Sequence, residues 1–162
     1  MLSVKTGSYP HSVRIADADL SPDAPGSPAP QGLTHIKLLL KVTSTPGRPM
    51  KAPHPKAYWV VKYDGCEAAQ KARSLIACGG MDDGSKYYTE EQIRNEDYST
   101  GIYNQFGDLE ADTPYWIVAW QLIPEKADLS GAQLCEAING APDNCIPLGT
   151  IRQDGATSPT TG

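Results

Sequence analysis

A period-two run at residues 34–45, THIKLLLKVTST, dictates what the rest of the chain must do. Ile36, Leu38, Leu40 and Val42 alternate with Lys37, Leu39, Lys41 and Thr43. That is the pattern of a strand with one face in a core and the other mostly wet. A helix would scatter the same apolar residues around its circumference. Pro46-Gly47 stops the strand with turn chemistry. A strand buried on one face needs a second layer to cover it, so the remaining segments must supply more sheet.

Several do. Residues 114–124, PYWIVAWQLIP, place Trp116, Val118, Trp120 and Leu122 on one face. That face is expected to pack across a sandwich onto the Ile36, Leu38, Leu40 and Val42 row. Residues 57–63, AYWVVKY, put Tyr58 and Val60 one way and Trp59 and Val61 the other, so both faces of this strand are expected to be covered. Asp64-Gly65 ends it. Shorter strands are expected at residues 2–6, at 11–18, where Val13 and Ile15 flank Arg14, and at 146–151.

The 14 prolines and 15 glycines punctuate many turns. The expected fold is therefore all-β, an immunoglobulin-like antiparallel β-sandwich with long loops and one or two short helical turns. Its 162 residues suit one domain, residues 1–152, followed by a polar tail at 153–162 with nothing to bury.

The connections carry their own signals. Residues 21–32 are rich in proline, serine and glycine, and residues 46–55, PGRPMKAPHP, form a basic, proline-rich, extended link. Residues 82–113 are the longest polar stretch and hold Tyr87, Tyr88, Tyr98, Tyr103 and Phe106. Thr89-Glu90-Glu91-Gln92 has capping-box form and predicts a short helix around Ile93. Ser130-Gly131-Ala132-Gln133 has the same form, while Asn139-Gly140 suits a hairpin turn; both arrangements fit that region. Residues 68–76 fit either a helical turn or a strand.

Four cysteines fall into two local pairs, Cys66 with Cys78 and Cys135 with Cys145. Tight C-x-x-C zinc spacing is absent, so two disulfides are expected in place of a metal, against the alternative of four free thiols in a reduced core. Disulfides persist in oxidising compartments. The first residues, MLSVK, lack the apolar segment of a signal peptide, and no stretch approaches the roughly 20 apolar residues of a membrane span. A mature exported protein whose leader has been removed fits both observations, in the extracellular space or on the outer face of the cell envelope.

The net charge is −5. Ten basic residues face five acidic ones up to Met81, and four face fourteen thereafter. An acidic chain without a basic stripe points away from nucleic acid.

The order of a short strand pair, a loop, HIKLLLKVTSTPGRP, AYWVVKYDG, LEADTPYWIVAWQLIP and a closing strand resembles the telokin-like, immunoglobulin-fold domains of bacterial, actinobacterial-type secreted or lipid-anchored proteins, a family of unknown function. The resemblance spans residues 2–151 and implies an Ig-like sandwich. It brings no catalytic residues with it. The tyrosine-rich insert and the two cysteine pairs depart from that layout.

Catalytic signatures are missing: there is no G-x-S-x-G, H-E-x-x-H or Walker loop. No cofactor is expected. Asp17 with Asp19, and Asp108 with Glu110 and Asp112, have the spacing of oxygen ligands for calcium, although alternating acids more often form a solvated face. No metal site is assigned.

The function expected is a secreted, non-catalytic binding module or adaptor that docks a protein partner, within a larger extracellular assembly or at the envelope. Tyr87, Tyr88, Tyr98 and Tyr103 are its candidate anchors, and Arg48, Lys51 and Lys56 its steering patch. The tyrosines equally fit a cluster packed back on the sandwich. Two alternatives are a carboxylate-based hydrolase using Glu90 and Glu91 or Asp108 and Asp112, and a carbohydrate-binding module using Trp59 or the tyrosines.

Overall fold

The structure, a computed structural model, describes residues 1–5, 10–24, 27–44, 47–66, 81–83, 86–103, 107–137 and 144–153. In chain order the strands begin with β1 (Leu2–Val4), β2 (His11–Ser21), β3 (Asp23–Ala24), β4 (Ser27–Pro28), β5 (Leu33–Ser44) and β6 (Met50–Lys51). A helical turn α1 (Pro55–Tyr58) leads into β7 (Trp59–Lys62), and β8 (Asp82–Asp83) and β9 (Lys86–Tyr87) precede the helix α2 (Glu90–Arg94). The chain continues through β10 (Ile102–Tyr103), β11 (Asp108–Leu109), β12 (Pro114–Pro124), β13 (Gln133–Glu136), β14 (Cys145–Pro147) and β15 (Arg152–Gln153). The fold is an all-β sandwich of antiparallel sheets with two short helices among the described residues.

Strand β5 is the centre of the larger sheet, in the order β1-β2-β5-β12-β8, with β15 added parallel to β2. Ile36, Leu38, Leu40 and Val42 are fully buried, and Lys37, Leu39, Lys41 and Thr43 face the other way, half-buried, as the alternation predicts. The smaller sheet, β14-β13-β7, closes the core with Trp59, Val61 and Leu134. Trp59, Val60 and Val61 are all buried, so both faces of β7 are covered. The preceding Pro55–Tyr58 is a helical turn and not part of that strand. Gly65, at φ +81°, follows β7 in the expected Asp-Gly turn.

The second strong strand departs from expectation in two ways. Strand β12 does not face β5 across the sandwich; it lies beside it in the same sheet, with Leu40 opposite Ile117 and Leu38 opposite Ala119. Its inward residues are Tyr115, Ile117, Ala119, Gln121 and Ile123, and Trp116, Val118, Trp120 and Leu122 point to the outer face. Gln121 supplies the physical reason. Its Oε1 accepts from the Val61 N–H at 2.9 Å and its Nε2 donates to the Val61 carbonyl at 2.9 Å. Because β7 is an edge strand, this amide satisfies backbone groups that would otherwise be buried unpaired.

The capping box at α2 is present: the Thr89 hydroxyl accepts from the Gln92 N–H at 3.2 Å and the Gln92 side chain accepts from the Thr89 N–H at 2.8 Å. Among the described residues no helix follows Ser130. The segment forms β13, which pairs with β14 so that Cys135 sits opposite Cys145 and is disulfide-bonded to it. Cys66 is likewise not a free thiol. Cys78, residues 68–76, Phe106 and Asn139-Gly140 lie outside the described residues. No described helix is long and apolar enough to cross a membrane.

Candidate functional site

A β-bulge creates the site's acidic wall. The register of β2 against β5 shifts between Ile15 and Asp17, so Val13 and Ile15 before it and Ala18 and Leu20 after it lie opposite the inward residues Val42, Leu40, Leu38 and Ile36. Asp17 and Asp19 therefore align with the outward residues Leu39 and Lys37. Across β5 the rows continue to β12, with Val118 opposite Leu39 and Trp120 opposite Lys37. One row further along, Trp116 lies opposite Lys41, whose ammonium is 5.5 Å from its ring centroid.

The insert roofs this outer face. Tyr88 bridges to Trp116 through paired backbone hydrogen bonds of 2.8 and 2.7 Å, which fixes the insert on the free edge of β12. Tyr98 meets Tyr88 edge-on with centroids 5.2 Å apart. Between roof and sheet lies a groove of about 490 Å³, floored by Leu39, Trp116, Val118 and Trp120 and walled by Tyr88, Tyr98 and Ile93. Its volume lies in the range of small-ligand sites.

Both carboxylates at the groove contact cations. Arg152 hydrogen-bonds Asp17, with Nε to Oδ1 at 3.0 Å, and reaches Asp19 at 3.3 Å. Lys37 lies 3.7 Å from Asp19. The Arg152 guanidinium holds the Asp17 carboxyl below its ordinary value of 3.8, against the opposing pull of partial burial. On the roof, the Lys86 ammonium sits 4.9 Å from the centroid of Tyr103.

The structure separates the predicted anchors. Tyr87 is fully buried and its hydroxyl donates to the Pro53 carbonyl, so it is a core residue and is corrected from the exposed set. Tyr88 is half-buried in the groove roof. Tyr98 and Tyr103 are 52% and 55% exposed. Arg48 and Lys56 are exposed, while Lys51 is ion-paired with Asp108 at 2.9 Å. Trp59, a candidate sugar platform in the sequence, is a core residue whose indole N–H donates to His11 Nε2 at 3.1 Å.

The carboxylate pairs named for hydrolysis do not line the groove. Glu90 and Glu91 lie exposed at the start of α2, Asp108 pairs with Lys51, and Asp112 accepts from the Gly47 N–H. Among the described residues no three His, Cys, Asp or Glu side chains converge as metal ligands. The groove itself was missed in the sequence. Its signal was the second apolar face of residues 114–124, since a strand with Trp116, Val118 and Trp120 outside must cover them with something. The chain matches no protein-family model, no curated protein and no solved structure.

Proposed function

We propose that this chain is a secreted, non-catalytic binding module of the telokin-like, immunoglobulin-fold kind its strand layout resembles, docking a protein partner in the extracellular space or at the cell envelope. The observation that carries this reading is the pair Tyr98 and Tyr103, large aromatic rings more than half exposed on an insert that is anchored to the sheet. A tyrosine held in place offers contact area at little entropic cost and a hydroxyl for a hydrogen bond. The disulfide-bonded hairpin supports export, because such bonds persist in oxidising compartments. The engagement of Asp17, Asp108 and Asp112 with cationic or backbone partners supports the non-catalytic part, since a general acid or base needs a carboxyl available to substrate.

Affinity capture from the native culture medium, followed by mass spectrometry, identifies the partner. At least one of Tyr98→Ala and Tyr103→Ala weakens that complex by about 2 kcal/mol while the circular dichroism of the fold is retained. Neutralising Arg48 and Lys56 slows association at low salt and has little effect at high salt. A partner captured equally well by both tyrosine variants removes this surface from the proposal.

A further inference from the structure

We infer that the groove over the outer face of the larger sheet binds an uncharged polysaccharide built of pyranose sugars. This second site shares Tyr98 with the proposed partner surface and leaves Tyr103 outside it. Its accessible floor is Trp120, half-buried on the outer face of β12; Trp116, four residues earlier on the same face, is 8% exposed beneath the Lys41 ammonium and supports the groove from below. Trp120 with Val118, the half-buried Tyr88 and the exposed Tyr98 gives the groove an aromatic lining, an aromatic trough in which these three rings are accessible. The negative faces of indole and phenol rings attract the polarised C–H groups on the flat side of a sugar ring.

The polar groups decide between ligand classes. Asp17, Asp19, Lys37 and Lys86 line the groove, two of each sign, and both carboxylates already contact cations. A charged ligand has to compete with the contacts among Asp17, Asp19, Lys37 and Arg152, whose disruption leaves a partly buried charge uncompensated, and with the Tyr103 ring for Lys86. A purely apolar ligand desolvates them without replacing their hydrogen bonds. A hydroxyl both donates to a carboxylate and accepts from an ammonium, so a polyol adds hydrogen bonds while leaving the ion pairs in place. Along the groove, β12 gives an extended peptide little edge to join, because it is paired with β5 on one side and, at Trp116, Ala119 and Trp120, with Tyr88 and β8 on the other. The trough is also built before any ligand arrives: the Tyr88 backbone bridge, the Tyr88–Tyr98 contact and the Lys41–Trp116 contact fix the rings, which lowers the ordering cost of binding.

The test is affinity electrophoresis of the full chain in gels containing a soluble β-glucan, a xylan, a mannan or an α-glucan, with tryptophan fluorescence titration against any that retards it. At least one is expected to retard the native protein and change its tryptophan emission. Trp120→Ala and Tyr98→Ala are each expected to weaken that binding at least tenfold. Tyr98 is exposed, so its variant stays informative even where Trp120→Ala fails to fold. Tyr103→Ala is expected to leave sugar binding unchanged, which separates this site from partner capture. Retardation by none of the four overturns the inference, as does binding undiminished in a folded Tyr98→Ala or Trp120→Ala protein. Fluorescence quenching at the groove by a proline-rich peptide, with no sugar effect, overturns it in favour of a peptide groove.

Discussion

Leu40 and Gln121 lie on the same inward face of the larger sheet and stabilise it by different physics. Leu40 is fully buried, so Leu40→Ala removes apolar area and leaves a void, with an expected cost of about 2–5 kcal/mol. Gln121→Leu preserves the volume approximately but strips the Val61 N–H and carbonyl of their partner at the buried edge of β7. Two unsatisfied groups at about 1–3 kcal/mol each give a loss of about 2–6 kcal/mol, comparable to the cavity, although the substitution adds hydrophobicity. Urea unfolding of the two variants checks both values. A change under about 0.5 kcal/mol in Leu40→Ala is what a surface position shows and would place that face outside the core.

At the level of elements, β15 is held to β2 by a short parallel pairing and by Arg152 on Asp17. Because the folded-state carboxyl of Asp17 titrates below its unfolded value of 3.8, the contact stabilises the protein fully above that value. The contribution is lost as pH falls through the lower, folded value. Amide protection at Gln153, the exchange rate set against that of the unstructured chain at the same pH, is expected to fall on acidification below about pH 4, and Asp17→Asn to show low protection already at neutral pH. Asp17 is substantially exposed, so added salt should reduce the difference between the two proteins. Unchanged protection across the acid range would mean that the backbone pairing alone retains β15.

The alternation of residues 34–45 had one reading, because lysines and threonine alternate with apolar residues on all but one outer position. The run at 114–124 is apolar on both faces, and its more hydrophobic set, Trp116, Val118, Trp120 and Leu122, proved to be the outer one. Gln121, the residue that looked least suited to a core, is inside because it serves a backbone edge contributed by a strand some sixty residues earlier. The capping box at Thr89 was readable because all its groups lie within four residues. The bulge in β2 was not, since it shows only against the register of β5, and with it went the placement of Asp17 and Asp19 at the groove.

Across the whole molecule, the two sheets are tied by buried polar contacts as well as by the apolar core. Trp59 of β7 donates to His11 of β2, Gln121 of β12 grips Val61 of β7, and Glu136 of β13 reaches the first strand. The last tie has several parts: the Lys5 N–H donates to Glu136 Oε1 at 2.7 Å, and Asn144 Nδ2 donates to both Glu136 Oε2 at 2.9 Å and the Ser3 carbonyl at 2.7 Å. Leu2 and Val4 bury their side chains beside this network, each 1% exposed. Strand β1 is therefore seated by apolar burial and by a carboxylate from the opposite sheet at once.

If both hold the same element, removing either should weaken the effect of the other. Leu2→Ala is expected to cost about 2–5 kcal/mol, and Glu136→Ala to destabilise as well by leaving the Lys5 N–H and the Asn144 amide without that partner. In the double variant the loss should fall short of the sum by about 0.5–3 kcal/mol, because a β1 already released by one change has nothing left to lose from the other. A double-mutant cycle by denaturant unfolding measures this coupling directly. Additivity within about 0.3–0.5 kcal/mol would show two independent contacts, with β1 held to β2 alone and the sheets joined elsewhere.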